Sequence, residues 1–424
     1  MPSHRPISIR PTMNFPSAEA GDRMTGRYKQ KREAILNAAA RLFDENGIKG
    51  TMLSEVAQQV GLNTNSITYY FKKKEDLVFE CLMHTTNTIS ALAADSDTAA
   101  TPEERVTRFV TGRWKKLAEA AQGQYPATMS FRDVGELDAS YTKIIFSAYG
   151  DMFRRVRGLL ATGPVTSDNR MSLTIRTHLL LTSTQWARTW LSNFSVADYE
   201  RLAAYMCDVL INGLAAPGKP WGPTALDRKV ASIKLPEPSN HGFLAAAISL
   251  LNEVGYNGAS IDRISARLSV TKGSFYHHIP SKDDLFAECV SRTLAVVEGM
   301  QAAAIAGEGS GGDKLAALAR SLVGYHFSPR GPLLRMTAWT ELSNLEQFSG
   351  QVQPIRQLTQ TVVDFLATGM MDGSVRPTHQ AIAAWMVVGA INGSTTLDKW
   401  VPGSEKTDAV ALYLKPFFHG ICSD

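Results

Sequence analysis

Residues 35–82 and 243–290 are two versions of one segment, superposed without a gap by a shift of 208 residues. Thirteen of the 48 paired positions are identical, among them Glu45/Glu253, Gly47/Gly255, Gly50/Gly258, Lys74/Lys282, Asp76/Asp284 and Leu77/Leu285. Other pairs keep their character, such as Val56/Ile264 and Val60/Leu268. A fixed offset shared by core positions, glycines and acids makes the chain two copies of one unit of about 200 residues. With 424 residues and 44% apolar content there is material for more than one core.

Apolar residues recur at helical spacing through most of both copies, and alternating strand patterns with Asn-Gly turns are nearly absent, so the expected fold is all-α. Residues 1–26, with four prolines, read as a disordered arm. The first unit then divides into 27–82 and 83–215, and the second into 241–290 and 291–424. Pro- and Gly-rich clusters mark 216–240 as the linker. Longer helices are expected at about Glu103–Ala121, Tyr141–Leu160, Arg170–Leu191, Val196–Gly213, Ile382–Trp400 and Thr407–His419.

Within the first repeat, Ile35, Ala38, Ala39 and Leu42-Phe43 form a stripe closed by Asn46-Gly47. A short helix near Leu53–Val60, a turn at Gly61-Leu62-Asn63 and a third helix near Thr64–Phe71 follow. Two short helices about a three-residue turn describe a helix-turn-helix. Thr64, Asn65, Thr68 and Tyr69 supply groups that hydrogen-bond base edges, and Lys72-Lys73-Lys74 neutralise phosphates.

Gly50-Thr51, Val56-Ala57, Gly61-Leu62-Asn63, Tyr69-Tyr70-Phe71 and Lys74-Glu75-Asp76-Leu77 resemble the DNA-binding domain of the TetR family of bacterial regulators. The run Val270 to His278, followed by Ser281-Lys282-Asp283-Asp284-Leu285, resembles it more closely still. The resemblance covers about 50 residues per unit, and the tandem arrangement departs from the family's usual single unit. It implies that Asn63, Thr64 and Asn65 face bases or adjacent phosphates and that Thr51, Tyr69 and Lys74 clamp phosphates. In the second copy Ser260, Thr271, Lys272, Gly273, Tyr276, His277 and Lys282 fall on the matching positions. Departures are Thr68 for the usual Tyr, Asn65 for Gly and Met52 for Thr or Ser, then Ser269 for the turn Gly, Ser265 for Ala and Ile279 for Phe. Charge favours the first copy: residues 27–74 carry nine Lys/Arg and four Asp/Glu, whereas 235–282 carry four and three.

The resemblance also implies a small-molecule pocket among the middle helices of each unit. Candidates are Phe131, Tyr149, His178, Gln185 and Trp186 in the first and Tyr325, His326, Arg335, Trp339, Glu341 and Trp385 in the second. The family's last two helices pair with a partner's, so the two units pair inside one chain as a pseudo-dimer, or two chains form a homodimer. The reading that follows is a cytoplasmic repressor that binds a double-stranded DNA operator with half-sites of different sequence and leaves it when a small-molecule effector binds. Two alternatives stand beside it: a DNA-bound protein-interaction factor without an effector, and a ligand-binding helical protein with vestigial DNA-binding domains.

Enzymatic, metal and membrane readings find little support. Gly307 to Gly312 lacks a GK[ST] ending and a preceding strand, and reads as a flexible loop. Cys81 and His84 have helical spacing but no further ligands nearby, and the four cysteines include no CxxC pair, so neither metal nor cofactor is expected. The wholly apolar run Ala381–Ile391 is too short to span a bilayer.

Overall fold

The computed structural model describes residues 26–131, 134–235, 240–336, 353–404 and 408–423. Among these the chain is all-α, with one isolated bridge between Ala215 and Val375. Helix α1 (Gly26–Gly50) buries Ile35, Ala39 and Phe43 of the expected stripe together with Leu36 and Ala40, leaves Ala38 and Leu42 half-buried, and breaks at Gly47, where φ is 75°. Its counterpart α10 (His241–Gly258) breaks at Gly255 with φ 68°. Only glycine takes that conformation without strain, which explains the identity of this pair. After α1 come α2 (Leu53–Gln59) and α3 (Thr64–Tyr70); after α10 come α11 (Ile261–Arg267) and α12 (Lys272–His278).

The first body consists of α4 (Lys74–Ser96), α5 (Pro102–Ala121), α6 (Ala139–Leu159), α7 (Ser167–Trp186) and α8 (Tyr199–Asn212). The second consists of α13 (Lys282–Ile305), α14 (Gly311–Phe327), α15 (Gln353–Met371), α16 (Gln380–Ser394), the single turn α17 (Leu397–Trp400) and α18 (Ala409–His419). Each helix-turn-helix domain has its own buried cluster, but the two bodies share one continuous core.

Helices α7 and α8 pack against α16 and α18. The approach is close because small residues face large ones: a Cβ on Gly389 would lie 2.2 Å from Cδ1 of Trp186. The Trp186 indole donates to the Trp385 carbonyl at 2.9 Å, and Trp190 stacks on Trp385. At the far end, Leu214 and Ala215 N–H groups donate to the Phe418 carbonyl, and Ile421 N–H donates to Leu210. These contacts satisfy chain ends that would otherwise leave backbone polar groups buried and unpaired.

Three expectations are revised. The expected linker holds a helix, α9 (Ala225–Ala231), capped by Thr224 and packed on α13 and α14, with Asp227 bonded to Arg320. The glycine-rich segment is no flexible loop: Ser310 caps α14, and a Cβ on Gly311 would lie 2.2 Å from the Gly369 backbone, so its glycines permit close helix packing. The helices expected at Arg170–Leu191 and Ile382–Trp400 stop at Trp186 and Ser394. In the second, Ser394, Thr395 and Thr396 turn their hydroxyls onto the carbonyls of Ile391, Asn392 and Gly393, competing with the helical ladder.

Candidate functional site

In the first helix-turn-helix, Asn63 caps α3: its Oδ1 accepts from Ser66 N–H and from the Ser66 hydroxyl, both at 2.8 Å. The turn before it uses Gly61 at φ 66°. Thr64, Asn65, Thr68 and Tyr69 are exposed on α3, Tyr69 to 74%. Tyr28 of α1 packs on Tyr69 and Tyr70, which fixes the direction of that exposed ring. Lys74 is half-buried at the start of α4, its pKa lowered by burial against the opposing pull of Glu75 and Glu55. Thr51 is a correction. It is buried, and its hydroxyl donates to the carbonyls of Leu42 and Gly47 at 3.0 and 2.9 Å, so it locks the α1–α2 junction and cannot clamp a phosphate.

In the second copy Ser260 caps α11 by accepting from Arg263 N–H. Thr271, Lys272, Gly273 and Tyr276 are exposed at and along α12. Lys272 forms an exposed pair with Asp262 at 2.7 Å, a partner that DNA phosphate would have to displace. Lys282 lies over the Tyr256 ring, 3.9 Å from its centroid. His277 belongs to α12, but its side chain lies outside the described residues. The turn position of Gly61 is filled by Ser269 at φ 55°. The two domains touch where α1 and α10 end: the Asn257 amide donates to the Asn46 carbonyl at 2.9 Å.

Between the units lies a cavity of about 490 Å³. It gathers five of the expected first-unit ligand residues, Phe131, Tyr149, His178, Gln185 and Trp186, together with Arg335 of the second. Trp400 of the second unit closes on them, its ring centroid 4.5 Å from that of Tyr149, which in turn meets Phe131 at 4.7 Å. His178 reaches across to Thr396 at 3.2 Å, and burial lowers its pKa to about 3, so its ring is neutral.

Tyr325, His326 and Trp385 do not line this cavity. His326 is buried and accepts from Leu333 N–H, its pKa lowered by burial to about 4, and Trp385 belongs to the packed seam between the bodies. Trp339 and Glu341 lie outside the described residues. Of the expected ligand residues, the five of the first unit and Arg335 of the second thus line one cavity shared between the units.

Sequence reasoning named Arg335 but missed the rest of the charged lining. Arg41, Arg113, Arg188, Arg335 and Lys399 face three carboxylates among the described lining residues, Asp44, Glu45 and Glu253. Glu45 and Glu253 are the same repeat position, so each helix-turn-helix domain places its first helix against the cavity. Asp44 pairs with Arg188, and the Arg41 guanidinium donates to the Ala120 carbonyl. Arg113 stands on the buried stripe Val106, Phe109, Val110, Arg113 and Trp114, where a lone cation in an apolar pattern was the available signal.

Among the described residues no helix is long and apolar enough to cross a membrane, and no cluster of metal-ligating side chains occurs. The HTH-type transcriptional repressor KstR2 of Mycobacterium tuberculosis is 26% identical over 126 residues, covering 30% of this chain and 61% of the relative. The chain therefore spans about three-fifths of that protein's length. The KstR2 of Rhodococcus jostii is 25% identical over 196 residues, 44% of this chain and 92% of the relative. The fatty acid metabolism regulator protein of Bacillus subtilis is 24% identical over 194 residues, 44% and 98% respectively. A solved TetR family regulator, PfmR of Thermus thermophilus, aligns with TM-score 0.32 and 19% identity, covering 41% of this chain and 95% of its own. Residues 35–81 and 243–289 each match the family described as bacterial regulatory proteins, tetR family. The chain thus carries a segment similar to that family's helix-turn-helix domain twice, in tandem.

Proposed function

We propose that this chain is a transcriptional repressor in which one polypeptide supplies both DNA-reading domains and one shared cavity senses a small-molecule effector. The observation that carries this reading is the position of the cavity: Glu45 on α1 and Glu253 on α10 line it from both DNA-binding domains at once. A ligand that prefers one spacing of α1 and α10 shifts the spacing of α3 and α12 with it, and such a difference in affinity between two states is what release from DNA requires. The paired α7, α8, α16 and α18 take the place of a dimer interface inside one chain, which supports a pseudo-dimer. Relatives described as repressors support repression rather than activation.

Because Asn63-Thr64-Asn65 and Thr271-Lys272-Gly273 differ, the operator has two unlike half-sites about one helical turn apart, roughly 34–36 Å. Selection of bound DNA from a random pool tests this, using wild type, Tyr69→Ala and Tyr276→Ala. The expected motif is gapped and asymmetric, with one half degraded in each variant. A palindrome that depends on one tyrosine alone would replace the pseudo-dimer by two chains, and no enrichment at low salt would end the repressor reading.

A further inference from the structure

The long helix at the centre of each body can be counted from its cap. In the first, Thr101 caps α5 and the buried stripe is Val106, Phe109, Val110, Arg113 and Trp114. In the second, Ser310 caps α14, and the same count gives Leu315, Leu318, Ala319, Leu322 and Val323, all buried. Four of the five positions are apolar in both units, and the remaining one is Arg113 in the first and Leu322 in the second. The body plan therefore needs no cation there.

Arg113 is only 5% exposed. Its Nε has no hydrogen-bond partner among the described residues, and the charge acting on it most strongly is a second cation, Arg188. A guanidinium taken out of water without an opposite charge among the described residues is costly compared with the leucine that the other unit uses. Arg188 keeps Asp44, yet its Nη1 is also buried without a partner. Both arginines line the shared cavity beside the rings of Phe131, Tyr149, Trp186 and Trp400. A cationic ligand is disfavoured by this pair, because it would add a third positive charge where two already repel.

We infer that the shared cavity binds one organic oxyanion per chain, its acidic head on Arg113 and Arg188 and its apolar body among the four aromatic rings. The inference rests on the effector reading for its biological consequence and on Arg113, Arg188 and the aromatic lining for its chemistry. Planar guanidinium groups hold carboxylate, sulfonate and phosphate heads through charge-assisted hydrogen bonds, which supply the missing partners. One ligand per chain follows because the second unit carries Leu322 at the matching place.

Two probes that differ by one sulfonate group test the site: 8-anilinonaphthalene-1-sulfonate and N-phenyl-1-naphthylamine, titrated by fluorescence into the full chain. Wild type should bind the sulfonate once per chain and about tenfold more tightly than the amine. Arg113→Leu, which installs the side chain the other unit folds with, should lose that preference while still binding the amine, and Arg113→Lys should keep part of it. Dodecanoate and dodecyl phosphate, competed against the sulfonate, identify the preferred head. Equal affinity for the two probes in wild type, or an unchanged preference in Arg113→Leu with its melting cooperative, overturns the proposal. DNA retention is read in the same samples. Arg113-dependent binding without DNA release keeps the site and removes the effector role, whereas release indifferent to Arg113 keeps an effector and removes this site.

Discussion

Asp44 and Asn252, 208 residues apart, make the same bond: each accepts from the backbone of a loop in its own body, Asp44 from Ser130 N–H at 2.7 Å and Asn252 from Arg335 N–H at 2.8 Å. Both loops border the shared cavity. The equivalence extends below them, where Thr85 accepts from Met129 N–H and Thr293, its repeat partner, accepts from Leu334 N–H. Each helix-turn-helix domain is thus tied by its first helix to one wall of the cavity. The two ties differ in charge, since Asp44 adds an ion pair to Arg188 whereas the Asn252 amide donates to the Leu333 carbonyl.

Asp44→Asn separates the two functions of Asp44. An asparagine still accepts from Ser130 N–H, as Asn252 does from Arg335, but leaves Arg188 without its carboxylate. Both side chains of the pair are less than a fifth exposed, so the expected cost is about 2 kcal/mol, below that of a fully buried pair. Urea unfolding measures it. Affinity for the anionic probe should rise, because a carboxylate has left a cavity whose cations would hold the ligand; a fall in that affinity would count against the assigned head-group position.

Ser269→Gly removes a conformational penalty. Ser269 takes φ 55° at the position where the first copy has Gly61 at 66°. A residue with a Cβ spends about 1–2 kcal/mol in that region, offset in part by the greater freedom glycine has in the unfolded chain. The second helix-turn-helix should gain about 0.5–1 kcal/mol. Hydrogen exchange at amides of α11 and α12 reads this locally, and unchanged protection there would show that the serine sits without strain.

The repeat, the all-α fold and the short helices of the two helix-turn-helix domains were legible because local rules write them directly. Gly47 and Gly255 are forced by backbone conformation, and Ile35, Ala39 and Phe43 by helical period. The cavity was not legible, because it belongs to no single unit. Glu45 and Glu253 stood out as identical, yet on a helix surface an acid has no reason to be read as a wall. The offset also drifts from 208 at Asp44/Asn252 to 205 at Ser130/Arg335 and 209 at Thr101/Ser310. Loops of different length between helices thus hide the continued symmetry from a rigid comparison. Thr51 misled for a related reason: a hydroxyl beside a glycine fits a phosphate clamp or a buried junction equally well until its two carbonyl partners are known.

Gly389→Val tests how strongly the seam between the units holds. The Cβ alone would meet the Trp186 indole at 2.2 Å, and the indole is pinned by its bond to the Trp385 carbonyl. Overpacking a filled contact typically costs about 1–3 kcal/mol, and the upper end is expected because both sides are rigid. Analytical ultracentrifugation adds a second reading: bodies pushed apart expose apolar surface, so the variant should self-associate more than wild type. A variant as stable and as monodisperse as wild type would mean that the seam is looser than its geometry.

Acid should weaken the fold through its buried histidines. Burial lowers the pKa of His178 to about 3 and of His326 to about 4, both from an ordinary value near 6.5. Below pH 6.5 the unfolded chain takes up these protons and the folded chain does not, so the stability each ring contributes is complete above that pH and is lost as pH falls towards the folded values. Between pH 7.5 and 5.5 each histidine should remove about 1 kcal/mol, with a limiting slope near 1.4 kcal/mol per pH unit. His84 and His419, lowered chiefly by burial, act in the same direction. The loss falls on the contact between units, because His178 meets Thr396 across the cavity. Urea midpoints measured over this range should therefore decline in wild type and decline less steeply, by about 1 kcal/mol in total, in His178→Gln. If the two curves run parallel, the His178 ring takes up its proton in the folded chain over the same pH range as in the unfolded one, and burial does not hold it neutral.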